Sequence, residues 1–498
     1  MSDFSIAYDS NALSGRADLQ FRGSTASPRE LETALNLIGD MSRSGDISLP
    51  NVNRLRDLVN QQVAEDDNYD KGGDPAWYWH VADAFRHQDD PLYLALNSHF
   101  MQAHWDNRLK WVLHEHASRQ VIEDLGHFAH RVLSSLKGLS ATEISGRLSG
   151  LETSGLEKEL IQYWQQNSSF FPDKELLSAF ERLTTEVQHD LAAGPEHAIR
   201  EINELRQIVV DRLGLRIDIT MNPELLGNIQ PSLAKFVESL GTQNIGKEDL
   251  PNRAGENAIT RLAVQRAGRA EGDFPLYIGF EDSRSTTGGV VFSAHSHGYT
   301  QVDRESLIKA LSSTVASGTG PHTFHMKVFE SGLAYSSGMV SEPQIELLSY
   351  YADKVPDLAS LVSLIDSLAD AIPTIEDPAL IDYILQKAFP FPRSMSPFAE
   401  RGKKLAEDIY DGNEPAKVRR FSEAVLMLKH EPDLLPQILR SGLPSIAPVL
   451  PEPQFKSVQR EERSIFFFIG PESLLADAEK RLSVPKLVRL YPSDFWAE

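Results

Sequence analysis

The chain has 498 residues, 71 of them acidic and 49 basic, and its formal net charge is −22 at pH 7. This acidic balance argues against nucleic-acid binding, which needs a positively charged surface, and no apolar run is long enough to span a bilayer. Cysteine is absent, so disulfides, thiolate zinc sites and cysteine nucleophiles are excluded. With no secretory signal visible in Met1-Ser2-Asp3-Phe4-Ser5, we expect a soluble cytoplasmic protein of two domains, each of about 250 residues.

The first half of the chain is predicted to be mainly helical. Residues 17–22 alternate like a half-buried strand, and Ser27-Pro28 then opens a helix with serine as N-cap and proline at the first helical position. Over residues 51–213, apolar side chains recur at spacings of three and four, which is typical of helices. A strand at 217–221 and a helix at 229–240 complete the predicted elements of this half.

The second half is predicted to mix strands and helices. The stretch 241–272 is polar and rich in Asn, Gly, Arg and Glu, and we interpret it as the connection between the two domains. Strand patterns are found at 275–280, 289–294, 333–336, 464–469 and 487–491. Helices are predicted at 303–315, where Asp303 is the expected N-cap, and at 344–352, 358–371, 380–388, 397–409, 416–428 and 473–482.

Two faint repeats link the halves. The segment 219–226 resembles 467–475, since each reads as a strand, a Pro-Glu turn and a helix. Arg29-Glu30 with Ala34-Leu35 resembles Arg304-Glu305 with Ala310-Leu311. We therefore expect an α+β protein of two related tandem domains, residues 1–240 and 273–498, each a mainly antiparallel sheet packed against helices. The first domain is expected to contain a large helical portion.

Neither sequence motif of the common zinc peptidases is present. An H-x-x-E-H motif needs two zinc-binding histidines beside a glutamate base, and the nearest segment, 193–197, has alanine in place of the first ligand. The segment 114–118 begins like H-E-x-x-H but has serine in place of the second. We predict no catalytic residue and no metal ligand, although Glu123, His127 and His130 would share one face of a helix. That trio is more often a half-exposed polar face.

Glycine-rich segments give no sign of nucleotide binding. Residues 241–248 nearly form a phosphate-binding loop, but Glu248 replaces the hydroxyl that would bind magnesium. Gly318-Thr319-Gly320 lacks the third glycine of a dinucleotide-binding turn, and no G-x-S-x-G motif of a serine hydrolase occurs.

The most specific segment is 318–338, in which a glycine-rich turn and an amphipathic stretch lead to Gly332-Leu333-Ala334-Tyr335-Ser336. It resembles the signature of the C-terminal half of pitrilysin/insulinase-type metallopeptidases. Residues 8–13 resemble the entry to the third domain of that family, and 468–472 with 488–492 resemble its closing strands. Among the subgroups, the presequence-protease-like one is the most similar.

The resemblance implies two bowls joined by a hinge, with zinc in the N-terminal bowl and a basic residue and a tyrosine of the C-terminal bowl contacting the peptide. Tyr335 matches this tyrosine. The basic partner is missing, because the residues six and seven positions upstream are Phe329 and Val328. Lys327 and His325 are the nearest substitutes, and His322, beside the glycine-rich turn, is a weaker candidate for peptide binding.

The resemblance thus implies a peptidase half without zinc that forms the chamber wall, contributes Tyr335 and Lys327, and pairs with a separate zinc-bearing half. Peptides would be the substrates, and basic peptides would be favoured if acidic residues line the cavity. A solvated acidic surface is the alternative explanation of the charge. Two other hypotheses are an inactive scaffold that retains the fold, and a stand-alone metalloenzyme that uses Glu123, His127 and His130.

Overall fold

A computed structural model describes most of the chain. The described residues are 3–11, 16–25, 27–44, 51–72, 99–115, 117–209, 216–240, 258–270, 275–388, 398–410, 412–431, 433–451 and 464–496.

A six-stranded mixed sheet forms the centre of the second half. Its strands are β3 (Leu276–Glu281), β4 (Gly288–His295), β5 (Ser336–Glu342), β6 (Leu347–Val355), β7 (Ile465–Gly470) and β8 (Val488–Leu490). They lie in the order β5-β6-β4-β7-β3-β8, so that β5 and β8 are the edge strands. The first three neighbouring pairs are antiparallel, whereas β7–β3 and β3–β8 are parallel.

The first half begins with a separate hairpin of β1 (Asp3–Asn11) and β2 (Arg16–Ser24), which pair antiparallel. Its helices are α1 (Pro28–Ser44), α2 (Val52–Gly72), α3 (His99–Val112), α4 (Arg119–Leu136), α5 (Ala141–Ser149), α6 (Gly155–Asn167), α7 (Leu176–Val209) and α8 (Leu226–Ser239). Helix α7 is broken at Gly194, where φ is 72°, and Pro195 follows the break.

The helices of the second half surround the sheet. They are α9 (Ala258–Arg266), α10 (Arg304–Ser313), α11 (Phe324–Ser331), α12 (Leu358–Ala371), α13 (Leu380–Ala388), α14 (Phe398–Tyr410), α15 (Pro415–Leu428), α16 (Leu434–Ile446) and α17 (Glu472–Arg481). Among the described residues, no helix combines the length and the apolar character needed to cross a membrane.

Hydrophobic clusters cover both faces of the six-stranded sheet. Helices α10, α12, α13, α15, α16 and α17 pack on one face. The other face packs against α9, against the C-terminal turn with Trp496, and against helices α3 to α7 of the first half. Because both faces are covered, β7 is an unbroken run of buried residues (Ile-Phe-Phe-Phe-Ile-Gly) rather than an alternating one. Residues of both predicted domains therefore share one hydrophobic cluster.

The α+β class and the large helical portion of the first half are confirmed. The expected pair of tandem sheets is not confirmed, since the described residues of the first half form the two-stranded sheet β1–β2. Residues 217–221 were predicted as a strand but belong to neither sheet. Residues 216–220 are all exposed, so their alternating apolar side chains do not pack against other residues as those of a half-buried strand would. The domain boundaries stay a prediction.

Two further predictions differ from the structure. Residues 344–352 were predicted as a helix, but most of them belong to strand β6, whose apolar side chains are buried in the centre of the protein. The proposed connection 241–272 includes helix α9, in which Ile259, Ala263 and Val264 are buried. The few apolar residues of this helix lie within a mainly polar stretch, so the sequence did not indicate that they are buried.

Candidate functional site

The region around Tyr335 is formed where helix α11 meets edge strand β5. Phe324 and Val328 are four residues apart on α11, so they share a face of the helix, and their side chains are 1% and 0% exposed. The ring of Phe324 meets that of Tyr350 edge to face at 6.0 Å. The helix ends at Gly332, which adopts a left-handed conformation with φ of 71°, and the chain turns there towards β5. A helix anchored in the core by Phe324 and Val328 thus fixes the position of the residues before β5.

Backbone hydrogen bonds fix the position of Tyr335, whereas its side chain is exposed. Its amide donates a hydrogen bond of 3.1 Å to the carbonyl oxygen of Asp353, and the next amide, of Ser336, donates one of 2.7 Å to Oδ1 of Asp353. The side chain is 66% exposed in spite of its size. The ammonium nitrogen of Lys354 lies 4.7 Å from the centre of the tyrosine ring, within the range of a cation–π interaction.

Lys354 owes its position to an irregularity in β6. Gly288 of β4 pairs with Val355 and Val290 pairs with Ala352, so two residues of β6, Asp353 and Lys354, lie opposite one residue of β4. This is a β-bulge, in which an extra residue redirects the side chains of a strand. Lys354 has φ of 49°, in the left-handed region that residues other than glycine rarely adopt.

The two upstream positions considered for a basic partner have opposite environments. Val328 is buried in the core and cannot be a peptide contact, whereas Phe329 is 58% exposed. His325 stacks on Phe329, with ring centres 6.3 Å apart. Its Nδ1 donates a hydrogen bond of 2.7 Å to the carbonyl oxygen of Ser337 in β5. We call His325, Phe329, Tyr335 and Lys354 the Tyr335 corner.

Lys327 and His322 lie near in sequence but already contact carboxylates. Nζ of Lys327 is 3.2 Å from Oε2 of Glu330 on the same helix. Nε2 of His322 is 2.9 Å from Oδ2 of Asp377, and this hydrogen bond lowers the pKa of the Asp377 carboxyl. Within the described part of the chain, no hydrogen bond or ring contact joins either residue to Tyr335. The structure therefore does not bring the three predicted residues into one contact group.

The glycine-rich turn has a packing role. Gly318 has φ of 82°, and a Cβ atom there would lie within hard-sphere contact of the hydroxyl of Tyr383. That hydroxyl donates to the carbonyl oxygen of Ser317 at 2.7 Å and accepts from the amide of Gly320 at 3.1 Å. These two hydrogen bonds join helix α13, which carries Tyr383, to the glycine-rich turn. The glycines allow this close approach.

Within the ranges that the structure describes, no group of three or more histidine, aspartate or glutamate side chains is placed to hold a metal ion. Glu123, His127 and His130 are all exposed on α4, and Glu123 pairs with Arg119 at 2.9 Å. The stand-alone metal site suggested for this trio is therefore not formed. His197 follows the break in α7 and pairs with Glu201 at 3.1 Å. The phosphate-loop-like residues 241–248 lie outside the described residues.

A second group of aromatic and charged side chains lies between the helices of the first half and the C-terminal turn; its four rings are buried, whereas the side chain of Arg182 is exposed. The rings of His104 and Trp496 stack with their centres 4.3 Å apart. Phe170 and Phe171 meet Trp496 edge-on at 5.8 Å and 5.1 Å, and the guanidinium of Arg182 lies 5.8 Å from the Trp496 ring. We call these five residues the Trp496 cluster. Burial, reinforced by Arg108 and Arg182, lowers the pKa of His104 to about 3.

Sequence reasoning missed Lys354 as part of the site. Residues 344–352 were read as a helix, so the register of β6 and its bulge were not foreseen. The signal that was available is the charged pair Asp353-Lys354 directly after an apolar run. Two consecutive charged residues in a strand buried on both faces indicate an interruption of the regular pattern.

No protein-family model matches the sequence, and no curated protein matches it. Solved structures do. A peptidase M16 inactive domain from Pseudomonas fluorescens is similar at 13% identity and a TM-score of 0.31, over 49% of this chain and 50% of that chain. The alignment thus spans half the length of that domain.

Two further structures show the same type of similarity. The first half of the periplasmic protease PqqL from Escherichia coli matches at 8% identity and a TM-score of 0.39, over 98% of this chain and 78% of that chain. Pitrilysin matches at 11% identity and a TM-score of 0.27, over 69% of this chain and 38% of that chain. These matches, with TM-scores of 0.27 to 0.39, are distant likenesses to peptidases of the M16 or pitrilysin type, the family that the sequence motifs resemble.

Proposed function

We propose that this chain is the zinc-less half of an M16-type metallopeptidase, that it forms part of the wall of a peptide-binding chamber, and that it pairs with a separate zinc-bearing half. The observation that carries the proposal is Tyr335, a tyrosine that is 66% exposed while its own amide and that of Ser336 donate hydrogen bonds to Asp353. A large exposed aromatic side chain on a rigid support is typical of a binding residue.

The chemistry of the corner suits a peptide. The phenol of Tyr335 can donate a hydrogen bond to a peptide carbonyl or to the oxyanion that forms when that carbonyl is attacked. The exposed Phe329, stacked on the half-buried His325, provides an aromatic surface on the adjoining helix for an apolar side chain. We retain Lys327 and His322 as peptide contacts. They are secondary ones, because each would have to exchange a carboxylate partner for the peptide.

The partner half would supply the zinc. Zinc bound there would lower the pKa of a water molecule and provide the nucleophile for peptide hydrolysis. The net charge of −22 supports basic peptides as substrates if the acidic residues face the chamber. The cytoplasmic location stays a prediction from the sequence.

One observation favours a second candidate function, that of an inactive scaffold. Phe329 occupies the position at which the resemblance implies a basic residue, and a phenylalanine cannot donate a hydrogen bond to an oxyanion. A chain that kept the fold and lost the chemistry would pair with its partner and hold peptides without aiding their cleavage.

The test is peptide cleavage by the purified chain alone, by the zinc-bearing half encoded nearest to it, and by their mixture. We expect cleavage in the mixture to exceed that by either component, and Tyr335→Phe to lower it by about 10-fold or more, since one charge-assisted hydrogen bond is lost. Tyr299→Phe, which removes a hydroxyl elsewhere, is the matched control and should leave the rate within about twofold.

The outcomes separate the two candidates. A stable complex in which this chain does not raise the rate of the zinc-bearing half would support the scaffold. If the chain cleaves peptides alone and retains stoichiometric zinc, both candidates are wrong. Phe329→Arg restores the implied basic residue at an exposed position, and we expect it to raise the rate of the mixture by severalfold under the peptidase hypothesis.

A further inference from the structure

We propose that Lys354 and Tyr335 together bind a carboxylate of the peptide, either its C-terminal carboxylate or the side chain of an aspartate or glutamate. This inference rests on the proposed function, because it assigns a ligand chemistry to the same corner. Lys354 would be a specificity-determining residue, and its role follows from three features of the structure.

The first feature is the strained backbone of Lys354. It adopts φ of 49° within a bulge of β6, although lysine has no intrinsic preference for the left-handed region. Strained residues and bulges persist where the surrounding structure holds them, and they concentrate at binding and active sites, where they redirect a side chain. Here the redirected side chain ends over the ring of Tyr335.

The second feature is that the two side chains offer donors. The lysine ammonium carries three N–H groups and the tyrosine phenol one O–H group, so their common ligand must be an oxygen acceptor. The lysine carries a full positive charge, which favours an anionic carboxylate over a neutral carbonyl. A carboxylate has two oxygens and can accept from both side chains at once.

The third feature is the charge of the chain as a whole. On a chain with a net charge of −22, an anionic ligand needs a local cation to overcome general repulsion. Lys354 provides that cation beside the most exposed aromatic ring of the corner.

The experiment measures the affinity of the full chain for three fluorescein-labelled peptides of about ten alanine, leucine, phenylalanine and serine residues. The first has a free C-terminal carboxylate, the second an amidated C-terminus, and the third is amidated and contains one central glutamate. By fluorescence anisotropy at low salt, we expect at least one of the two carboxylate peptides to bind about 5- to 10-fold more tightly than the neutral one. Whichever does so identifies the source of the carboxylate.

Two variants at one position test the role of the charge. Lys354→Asn removes the cation but tolerates the left-handed backbone, because asparagine adopts that region more readily than most residues. We expect it to bind all three peptides with equal affinity. Lys354→Arg retains the cation and should keep the preference to within about threefold. A purely structural role of Lys354 would alter all three affinities together and leave their ratio unchanged.

Each result bears on a different proposal. If the wild-type chain binds all three peptides equally, or if Lys354→Asn keeps the preference, the carboxylate site is wrong while peptide binding stands. If the chain binds none of the peptides, either alone or with the zinc-bearing half, the proposed function and the carboxylate site are both wrong.

Discussion

The Trp496 cluster and the Tyr335 corner both combine a large aromatic ring with a cation, and they differ in their exposure to water. Trp496 is 8% exposed, and four aromatic or cationic side chains surround it. Tyr335 is 66% exposed, and Lys354 is the cation over its ring. The buried group can release free energy when the chain folds, because it removes a large apolar area from water.

The exposed group contributes little to folding, since its ring stays in contact with water and an exposed cation–π pair is worth about 0.5–1 kcal/mol. Its rigid backbone and strained lysine therefore need a different explanation, and the proposed binding of a ligand would supply one. The comparison predicts that substitutions in the Trp496 cluster change stability, whereas those in the Tyr335 corner change binding.

The largest expected effect is that of Trp496→Ala. Removing a buried tryptophan leaves a cavity, and we expect the free energy of unfolding to fall by about 3–5 kcal/mol. Urea denaturation followed by circular dichroism measures this change. Trp105→Ala is the matched control, because Trp105 is 48% exposed and its removal should change stability by less than about 1 kcal/mol. Equal losses at the two positions would contradict the assigned role of the cluster.

Neighbouring residues on α11 give a second test at closer range. Val328 is fully buried and Phe329 is exposed, although they are adjacent. We expect Val328→Ala to lower the free energy of unfolding by about 2 kcal/mol and Phe329→Ala to change it by about 0.5 kcal/mol or less. The smaller residue should thus be the more important one for stability. The opposite order would show that the Tyr335 corner is itself part of the core.

The pH dependence of stability tests His104. Its pKa is about 3 in the folded chain against 6.5 for the ordinary side chain, so below pH 6.5 the unfolded chain takes up a proton that the folded chain does not. The contribution of His104 is complete above pH 6.5 and is lost as the pH falls. Lowering the pH from 6.5 to about 5 should reduce stability by roughly 2 kcal/mol through this residue.

Other groups titrate in the same range, so the informative quantity is the difference between the wild type and His104→Phe. The variant keeps an aromatic ring against Trp496 and cannot take up a proton. We expect its stability to fall less steeply between pH 6.5 and about 5 than that of the wild type. Parallel curves would mean that His104 takes up its proton in the folded chain over the same pH range as in the unfolded chain.

The smallest expected effect is at Lys354. Replacing it with asparagine relieves the left-handed strain and loses an exposed cation–π contact, so we expect the free energy of unfolding to change by about 0.5 kcal/mol or less. Thermal denaturation of Lys354→Asn and Lys354→Arg side by side measures it. A loss of several kcal/mol in Lys354→Asn alone would assign the lysine to the folding of the sheet rather than to ligand binding.

Elements with strong local signals were predictable from the sequence. Helix α12 has the predicted bounds, and its first turn is capped by Asp357, whose Oδ1 accepts from the Ser360 amide at 2.8 Å. The N-cap role of Asp303 is likewise confirmed, with the Ser306 amide 3.0 Å from its Oδ1. In both cases the side chain that starts the helix lies within three residues of its partner, so the sequence contains the whole interaction.

Strand β6 could not be assigned in the same way. Its apolar run is buried on both faces, and such a run has neither the alternation of a surface strand nor a clear helical period. Its identity depends on β4 and β5, which pair with it from distant parts of the chain. Tyr335 was found because a sequence motif contains it, whereas Lys354 depends on the register of this strand.

The hydrophobic cluster on the second face of the sheet determines which fragments of the chain can fold when they are expressed separately. Side chains of helices α3 to α7 belong to the same buried cluster as Ile278, Phe280, Phe467 and their neighbours in the strands. A fragment that starts at the predicted second domain, residue 273, would present this apolar sheet face to water and would aggregate or recruit other chains. The same fragment made together with the helical segment should assemble with it, as two pieces of one core.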